Sequence, residues 1–261
     1  MNRANQILHL LNEAATMMMH DTLNPRLFTK NDTIKPEVRK HLLRIAEVWR
    51  DDAKIPKSAI LDIVTLGGNI SYAYHKLSDI DVHFVIHRKD LGIKNDDLTQ
   101  EYIMTKKNLF KFKHPDLNIF GYPIEIYAQD PKTEPFLPHQ GVYSILHNKW
   151  VQKPKKEPID FNDPHIQRKV DHYSSYIDHL ISINAPDAYF EHLKDKFKNM
   201  RQEGVRKEGE YSIANLIFKE LRNRGYLDKM ATFKQKRTDA KLSLTFKGQK
   251  KTPVKKPVPG D

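Results

Sequence analysis

The stretch Leu66–Ile86, which reads LGGNISYAYHKLSDIDVHFVI, decides the fold of this chain. It joins the end of one short apolar run, Ala59–Leu66, to a second run, Ile80–Ile86, and both are rich in β-branched residues. Apolar runs of this length, bounded by glycines and polar turn residues, predict two strands. Between them, Asn69–Lys76 is long enough for about two helical turns.

The second of these strands predicts a pair of carboxylates on one face. Successive side chains of a strand point to opposite faces, so the even-numbered residues from Ile80 to Ile86 form one wholly apolar face. The other face begins with Asp79 and Asp81, followed by His83. Two like charges this close repel each other unless a cation lies between them. A hard divalent ion such as Mg²⁺ suits this position, because it takes carboxylate oxygens and leaves room for phosphates.

Two further features complete the predicted site. Gly67 and Gly68 close the first strand, and the absence of a Cβ lets their backbone approach phosphate oxygens closely. Glu125 lies in the run Pro-Ile-Glu-Ile-Tyr, which predicts a strand with its isoleucines facing inward and Glu125 facing outward. If this strand pairs beside Ile80–Ile86, three carboxylates converge and can clamp two metal ions roughly 3.5–4 Å apart.

These motifs resemble the nucleotidyltransferase superfamily typified by DNA polymerase β. The shared pattern is a strand ending in Gly-Gly, a helix, Asp-x-Asp in a second strand and a carboxylate in a later strand, and it covers about Ile60–Ala128. The resemblance implies a small mixed sheet with helices on one face. It also implies an NTP substrate and transfer of a nucleotidyl group to a hydroxyl of RNA, protein or a small molecule, with release of pyrophosphate.

The resemblance also assigns roles by position. Asp79, Asp81 and Glu125 would bind Mg²⁺ or Mn²⁺ and form the catalytic triad, with Glu125 favouring deprotonation of the acceptor. The nucleotide would contact the glycine turn and the residue before the first aspartate, namely Gly67, Gly68, Asn69 and Ser78.

A second resemblance involves the whole chain, including Leu23–Phe28 and Gly209–Ser212. It is to nucleotidyltransferase-domain proteins of tailed bacteriophages, and it implies a location in the host cytoplasm.

The rest of the chain predicts an α+β fold whose second half is helical. Apolar residues recur at helical spacing from Asp163 onward, whereas the first half mixes strands and helices. We expect N-terminal helices (1–55) packed on a nucleotidyltransferase core (56–152), then a helical domain (159–238) and a flexible basic Lys/Pro-rich tail (239–261). The predicted helices are Met1–Met19, a helix from Pro36 to Trp49, Asp96–Lys111, His165–Ile183, Asp187–Arg201, Tyr211–Arg224 and Leu227–Lys236. Further strands are predicted at Asn118–Phe120, Pro123–Ala128 and Gly141–Leu146.

Composition and charge indicate where this chemistry takes place and which partners it involves. The 261 residues carry a formal charge of +11 and include no cysteine, which excludes disulfides and thiolate metal sites. No apolar run approaches the roughly 20 residues that span a bilayer, so we expect a cytoplasmic protein without a membrane partner. Seven of the eleven charges lie in Phe233–Asp261, and a basic arm of this kind attracts RNA or another polyanionic acceptor.

Two alternatives for the function stay open from the residues alone. The chain could keep the fold without turnover, as a nucleic-acid-binding or virion-associated protein. It could instead modify tRNA or a partner protein, as toxin-like enzymes do.

Two individual residues also have two interpretations each. His83 could shuttle protons or be a half-buried histidine satisfied by a neighbour. Tyr211 could stack a base or begin a helix in the core. The sequence does not indicate the oligomeric state.

Overall fold

The computed structural model describes residues 17–138 and 140–244, and it shows a mixed α+β protein. In these ranges the α-helices are α1 (Pro36–Asp52), α2 (Asp96–Lys113), α3 (Pro164–Ser182), α4 (Asp187–Glu208), α5 (Ile213–Asn223) and α6 (Tyr226–Leu242). The strands are β1 (Ile60–Leu66), β2 (Ile80–Ile86), β3 (Asn118–Ile119), β4 (Tyr122–Gln129), β5 (Val142–Ser144) and β6 (Lys149–Gln152). The predicted helix Met1–Met19 falls mostly outside the described residues, and Met17–Met19 are not helical.

The six strands form one mixed sheet in the order β3-β4-β2-β1-β5-β6. Strands β2 and β4 are parallel, and every other neighbouring pair is antiparallel. A parallel pair cannot be joined by a tight hairpin and needs a long crossover. Helix α2 lies within that crossover, so the chain returns to β4 beside β2.

The apolar face of β2 is the centre of the first core. Its even-numbered residues from Ile80 to Ile86 are 0% exposed. They pack with α1 and α2, and the ring of Trp49 lies 5.1 Å from that of Phe84. The predicted alternation of this strand is therefore confirmed, and its polar face is the one directed away from α1.

A tight hairpin sets the position of β4. Residues Phe120 and Gly121 connect β3 to β4 with positive φ angles of 53° and 85°. Two residues with positive φ are typical of the type I′ turn, whose twist matches that of paired strands. The predicted hairpin at Asn118–Phe120 and Pro123–Ala128 is confirmed, with the turn beginning one residue earlier.

The predicted helical turns at Asn69–Lys76 are wrong. Only Gly68–Ile70 forms a single 3₁₀ turn, and the chain then runs irregularly to Asp79. The hydroxyl of Ser71 donates to the carbonyl of Gly68 and accepts from the amide of Ala73. Serine side chains that bond to nearby backbone groups in this way compete with helix formation.

The second half of the chain folds as a helical unit around its own apolar core. Helix α3 begins after Asp163 and α5 after Ser212, and each of these side chains caps its helix by accepting a backbone N–H. Helix α4 continues to Glu208, seven residues beyond its predicted end, and α6 ends at Leu242. The predicted tail, 239–261, therefore begins inside a helix, and its residues 245–261 lie outside the described part.

No helix in the described ranges is both long and apolar enough to cross a membrane. This finding agrees with the absence of a long apolar run in the sequence.

We predict that Gly141→Ala destabilises the protein by about 3 kcal/mol because the added methyl has no space. A Cβ at this position would lie 1.9 Å from the carbonyl oxygen of Ile70, which is in the 3₁₀ turn after β1. Gly92→Ala is the control, since nothing lies within 4 Å of its Cβ and only its φ of +75° opposes the change, at about 1–2 kcal/mol. Chemical denaturation measures both variants, and equal losses would contradict the proposed contact.

Candidate metal centre

Three carboxylates meet on the polar face of the sheet. In the parallel pair β2–β4, Asp81 lies opposite Glu125, and Asp79 immediately precedes β2. One oxygen from each of the three side chains lies within 4.8 Å of the other two. The structure thus brings together all three residues that the sequence predicts as metal ligands, and its central contact is the Asp81–Glu125 register.

Gly67 brings the end of β1 against this cluster. Leu66 pairs with Asp81 across the β1–β2 ladder, and Gly67 then turns the chain with φ of +88°. A Cβ on Gly67 would lie 2.1 Å from an Oδ atom of Asp81, so a larger residue would displace this carboxylate, and the φ of +88° also favours glycine. A Cβ on Gly68 would lie 3.0 Å from the Ser78 hydroxyl oxygen. The glycine turn therefore lies directly beside the carboxylates, as the sequence predicts.

Asn69 follows the glycine turn, and its side chain is bonded inside the protein. Its side chain is fully buried, and its amide donates to the carbonyls of Ser78 and Asp79 at 3.1 and 2.9 Å. Its oxygen accepts from the amide of Asn24 at 2.7 Å, and Asn24 is also buried. Because its polar atoms are bonded inside the protein, the side chain of Asn69 ties both ends of the loop 69–79 together.

Ser78 is 4% exposed and also has internal partners. Its hydroxyl oxygen accepts from the amide of His75 at 3.1 Å, and its amide donates to the carbonyl of His75. The hydroxyl faces the backbone of Gly68. Ser78 thus lies at the predicted place beside the glycine turn, where it closes the loop that leads to Asp79.

The electrostatics of Asp81 are those of a carboxylate that lacks compensating charge. Burial, followed by the charges of Asp79 and Glu125, raises the pKa of Asp81 to about 8, against the smaller opposite effects of Lys107 and Arg222. A divalent cation among the three carboxylates would reverse this balance, since it favours their charged forms. The donor set is three hard oxygen ligands, which fits Mg²⁺ or Mn²⁺.

Glu125 is held by two lysines that the sequence analysis missed. Lys107 and Lys111, one turn apart on α2, lie 2.9 and 3.0 Å from its two carboxylate oxygens. Burial raises the pKa of Glu125, but the hydrogen bonds and charges of these lysines outweigh burial and lower it. Glu125 is therefore a poor proton acceptor, and its charged form, which is the form that binds a metal ion, is favoured. A metal ion that uses Glu125 has to share its oxygens with these ammonium groups or displace one.

His83 lies on the same face of β2 as Asp81, but its ring is bonded to a neighbouring side chain. Its Nδ1 lies 2.6 Å from the side-chain oxygen of Gln129, and burial lowers its pKa. The interpretation of His83 as a half-buried histidine satisfied by a neighbour is confirmed.

Arg222 approaches the site from the helical half. It is exposed near the end of α5, and its charge acts on Asp81, His75 and Arg201. No hydrogen bond or ion pair holds its guanidinium within residues 17–138 and 140–244. Tyr211, by contrast, packs on the helical core and interacts with Ser71, which favours its interpretation as a core residue.

Comparisons of the chain with protein-family models, with curated proteins and with solved structures found no match.

We predict that Asp81→Asn stabilises the protein in EDTA at neutral pH by about 1–2 kcal/mol, because it removes a carboxyl group that must take up a proton, or be buried as a like charge, when the chain folds without metal. At about 2–4 °C per kcal/mol, the midpoint of thermal unfolding should rise measurably. The same variant should lose the stabilisation that MgCl₂ gives the unmodified chain, which is about 2.7 kcal/mol at a concentration a hundredfold above the dissociation constant.

Asp116→Asn is the matched control for this prediction, since Asp116 is exposed and lies outside the cluster. It should change neither the midpoint in EDTA nor the shift with MgCl₂. An Asp81→Asn variant that is stabilised by MgCl₂ as strongly as the unmodified chain would exclude Asp81 as a ligand.

Proposed function

We propose that this protein is a metal-dependent nucleotidyltransferase that transfers a nucleotidyl group from an NTP to a hydroxyl acceptor. The observation that carries the proposal is the register of β2 and β4, which places Asp81 beside Glu125 with Asp79 in reach. The resemblance of these motifs to the nucleotidyltransferase superfamily supports the same chemistry. The proposal rests on the site and not on the composition of the chain.

In the proposed reaction the acceptor oxygen attacks the α-phosphorus of the NTP. A bond forms between that oxygen and phosphorus, the bond from phosphorus to the bridging oxygen of the β-phosphate breaks, and pyrophosphate leaves with the electron pair. Divalent cations bound at the site would supply Lewis-acid activation of the acceptor and neutralise charge on the phosphates. Asp79, Asp81 and Glu125 would hold these ions.

The residues around the triad support an anionic substrate. Lys107 and Lys111 lie on one side of the carboxylates, and Arg222 acts on them from the helical half. In the proposed complex the triphosphate lies between these cations, where charge-assisted hydrogen bonds are stronger than neutral ones. Gly67 and Gly68 would let the phosphates approach the backbone beside Asp81.

Glu125 has a narrower role in this proposal than the resemblance implies. Its lowered pKa makes it a weak base at neutral pH, so we assign it to metal binding and not to deprotonation of the acceptor. The proton of the acceptor hydroxyl would leave to solvent.

For the basic tail we propose a single role, the recruitment of the acceptor. Residues 245–261 lie outside the described part, and they contain most of the lysines of the predicted tail, 239–261. We propose that they attract an RNA or another polyanionic acceptor without contacting the NTP.

The decisive experiment is transfer of label from α-³²P-labelled NTPs. We expect the purified chain, with Mg²⁺ or Mn²⁺, to label an acceptor from a panel of RNA, protein and small hydroxyl compounds, and to release pyrophosphate. Asp79→Asn/Asp81→Asn should abolish labelling, and Asp116→Asn should leave it unchanged. Equal labelling by the double variant would refute the assignment of the triad, and absence of labelling with every acceptor would favour the alternative of a binding protein without turnover.

We also predict that Arg222→Ala raises the KM for NTP by about tenfold or more, because a charge-assisted hydrogen bond contributes about 1.5–3 kcal/mol. The shift of the unfolding midpoint with MgCl₂ should be unchanged, since Arg222 is not a metal ligand. Arg206→Ala is the control, because Arg206 is exposed on α4 and pairs with Glu203 one turn away. An unchanged KM for Arg222→Ala would remove Arg222 from the site.

A further inference from the structure

A pocket separate from the metal centre lies beside the loop that leads to the carboxylates. Its volume is about 490 Å³, within the roughly 300–1,000 Å³ of small-ligand pockets. Its lining combines aromatic and basic side chains, among them His20, Arg26, Tyr74, Lys76, Phe120 and Tyr122. No aspartate or glutamate of the described residues lines it.

The aromatic part of this pocket is held in place before any ligand binds. The rings of His20 and Tyr74 are stacked, with centroids 3.8 Å apart, and the His20 Nε2 atom lies 2.9 Å from the carbonyl of Tyr74. Phe120 is 51% exposed at the turn between β3 and β4, and Tyr122 is nearly buried behind it. A flat aromatic ligand can therefore stack without a large loss of side-chain freedom.

The positive charge of the pocket comes from Arg26 and Lys76, which are both exposed. Arg26 donates one N–H to the carbonyl of Phe120, and its guanidinium has further donors for an anion. His75 adds no charge at neutral pH, because burial and the charges of Arg222 and Lys219 lower its pKa to about 4. The pocket thus offers aromatic faces next to two permanent cations.

These features point to a nucleotide of a single-stranded nucleic acid as the ligand of the pocket. Base stacking on aromatic rings, with cations along the backbone, is how proteins bind single-stranded nucleic acids. A phosphopeptide is a poorer fit, because its recognition uses clusters of arginines, and this pocket has a single arginine that also holds the backbone of Phe120.

The position of the pocket relates it to the triad. Tyr74 and Lys76 belong to the loop that ends at Asp79, and Lys76 precedes Asp79 by three residues. Three residues span at most about 11 Å, so a few nucleotides bridge the pocket and the carboxylates.

We propose that this pocket binds the acceptor, and that the acceptor is a single-stranded polynucleotide whose end reaches Asp79 and Asp81. The proposal rests on the proposed function, which it deepens by naming the class of acceptor. The bound nucleotide stacks against Tyr74 and Phe120, and its phosphates contact Arg26 and Lys76.

The test measures binding without metal and without NTP, so that it does not depend on turnover. Fluorescence anisotropy of a labelled single-stranded RNA is followed with the full chain in EDTA. We expect Tyr74→Ala and Phe120→Ala each to weaken binding about 5- to 150-fold, the range for loss of one stacked base. Tyr74→Phe should keep most of the affinity because it keeps the ring.

The matched control is Phe112→Ala, since Phe112 is 82% exposed on α2 and does not line the pocket. It should leave the affinity unchanged, and circular dichroism should show the same fold for all variants. Equal affinities for Phe120→Ala and Phe112→Ala would overturn the proposal. Stronger displacement of the RNA by a phosphopeptide than by an unlabelled single strand would also overturn it.

Crosslinking separates the pocket from the basic tail. With RNA that contains thiouridine, we expect crosslinked peptides around Tyr74 and Phe120, and crosslinks confined to 245–261 would refute the pocket. The double variant Asp79→Asn/Asp81→Asn should bind the RNA in EDTA at least as tightly as the unmodified chain does, because it removes carboxylates that repel the end of the strand, and it should lose the transfer of label. Binding at the pocket without any transfer of label would refute the proposed reaction alone, whereas transfer of label that is unaffected by the pocket variants would refute this inference alone.

Discussion

The candidate site depends on the burial of the opposite face of β2. Three carboxylates do not attract one another, so their convergence has to be stabilised elsewhere. The even-numbered residues of β2 are fully buried, and Ile124 and Ile126 of β4 are nearly so. Each such side chain contributes about 1.5–3 kcal/mol through burial, and their total far exceeds the repulsion between a few carboxylates. Because side chains alternate along a strand, burying this face directs Asp81 and Glu125 to the other one.

This dependence explains which parts of the structure could be predicted from the sequence. The alternation in Ile80–Ile86 and the Ile-Glu-Ile run give the face of each residue, since they are local patterns. The pairing partner of a strand is not local, so the parallel register between Asp81 and Glu125 could only be stated as a condition. The loop 69–79 was predicted wrongly because the serine and asparagine side chains there bond to the backbone, which periodicity does not reveal.

The lysines of α2 show a second limit of sequence reasoning. Lys107 and Lys111 have helical spacing, but so do many pairs of lysines on solvated helix faces. What distinguishes them is the packing of α2 near β4, which brings both ammonium groups to Glu125. The net charge of +11 also says little about the site, because the charges that act on the triad are a few groups from α2 and α5. Local geometry, and not the total charge, determines which charges act on the three carboxylates.

The two-residue turn at Phe120 and Gly121 has a consequence for how this protein can evolve. It sets where β4 starts after β3, so a change in the length of the hairpin that the turn does not absorb would shift β4 along β2. A shift of one residue would exchange Glu125 for Ile124 or Ile126 on the polar face, and a shift of two would keep the faces but bring Pro123 or Tyr127 opposite Asp81. Natural variation in the length of this hairpin should therefore be restricted to changes that the turn itself absorbs, since any shift of β4 moves Glu125 away from Asp81.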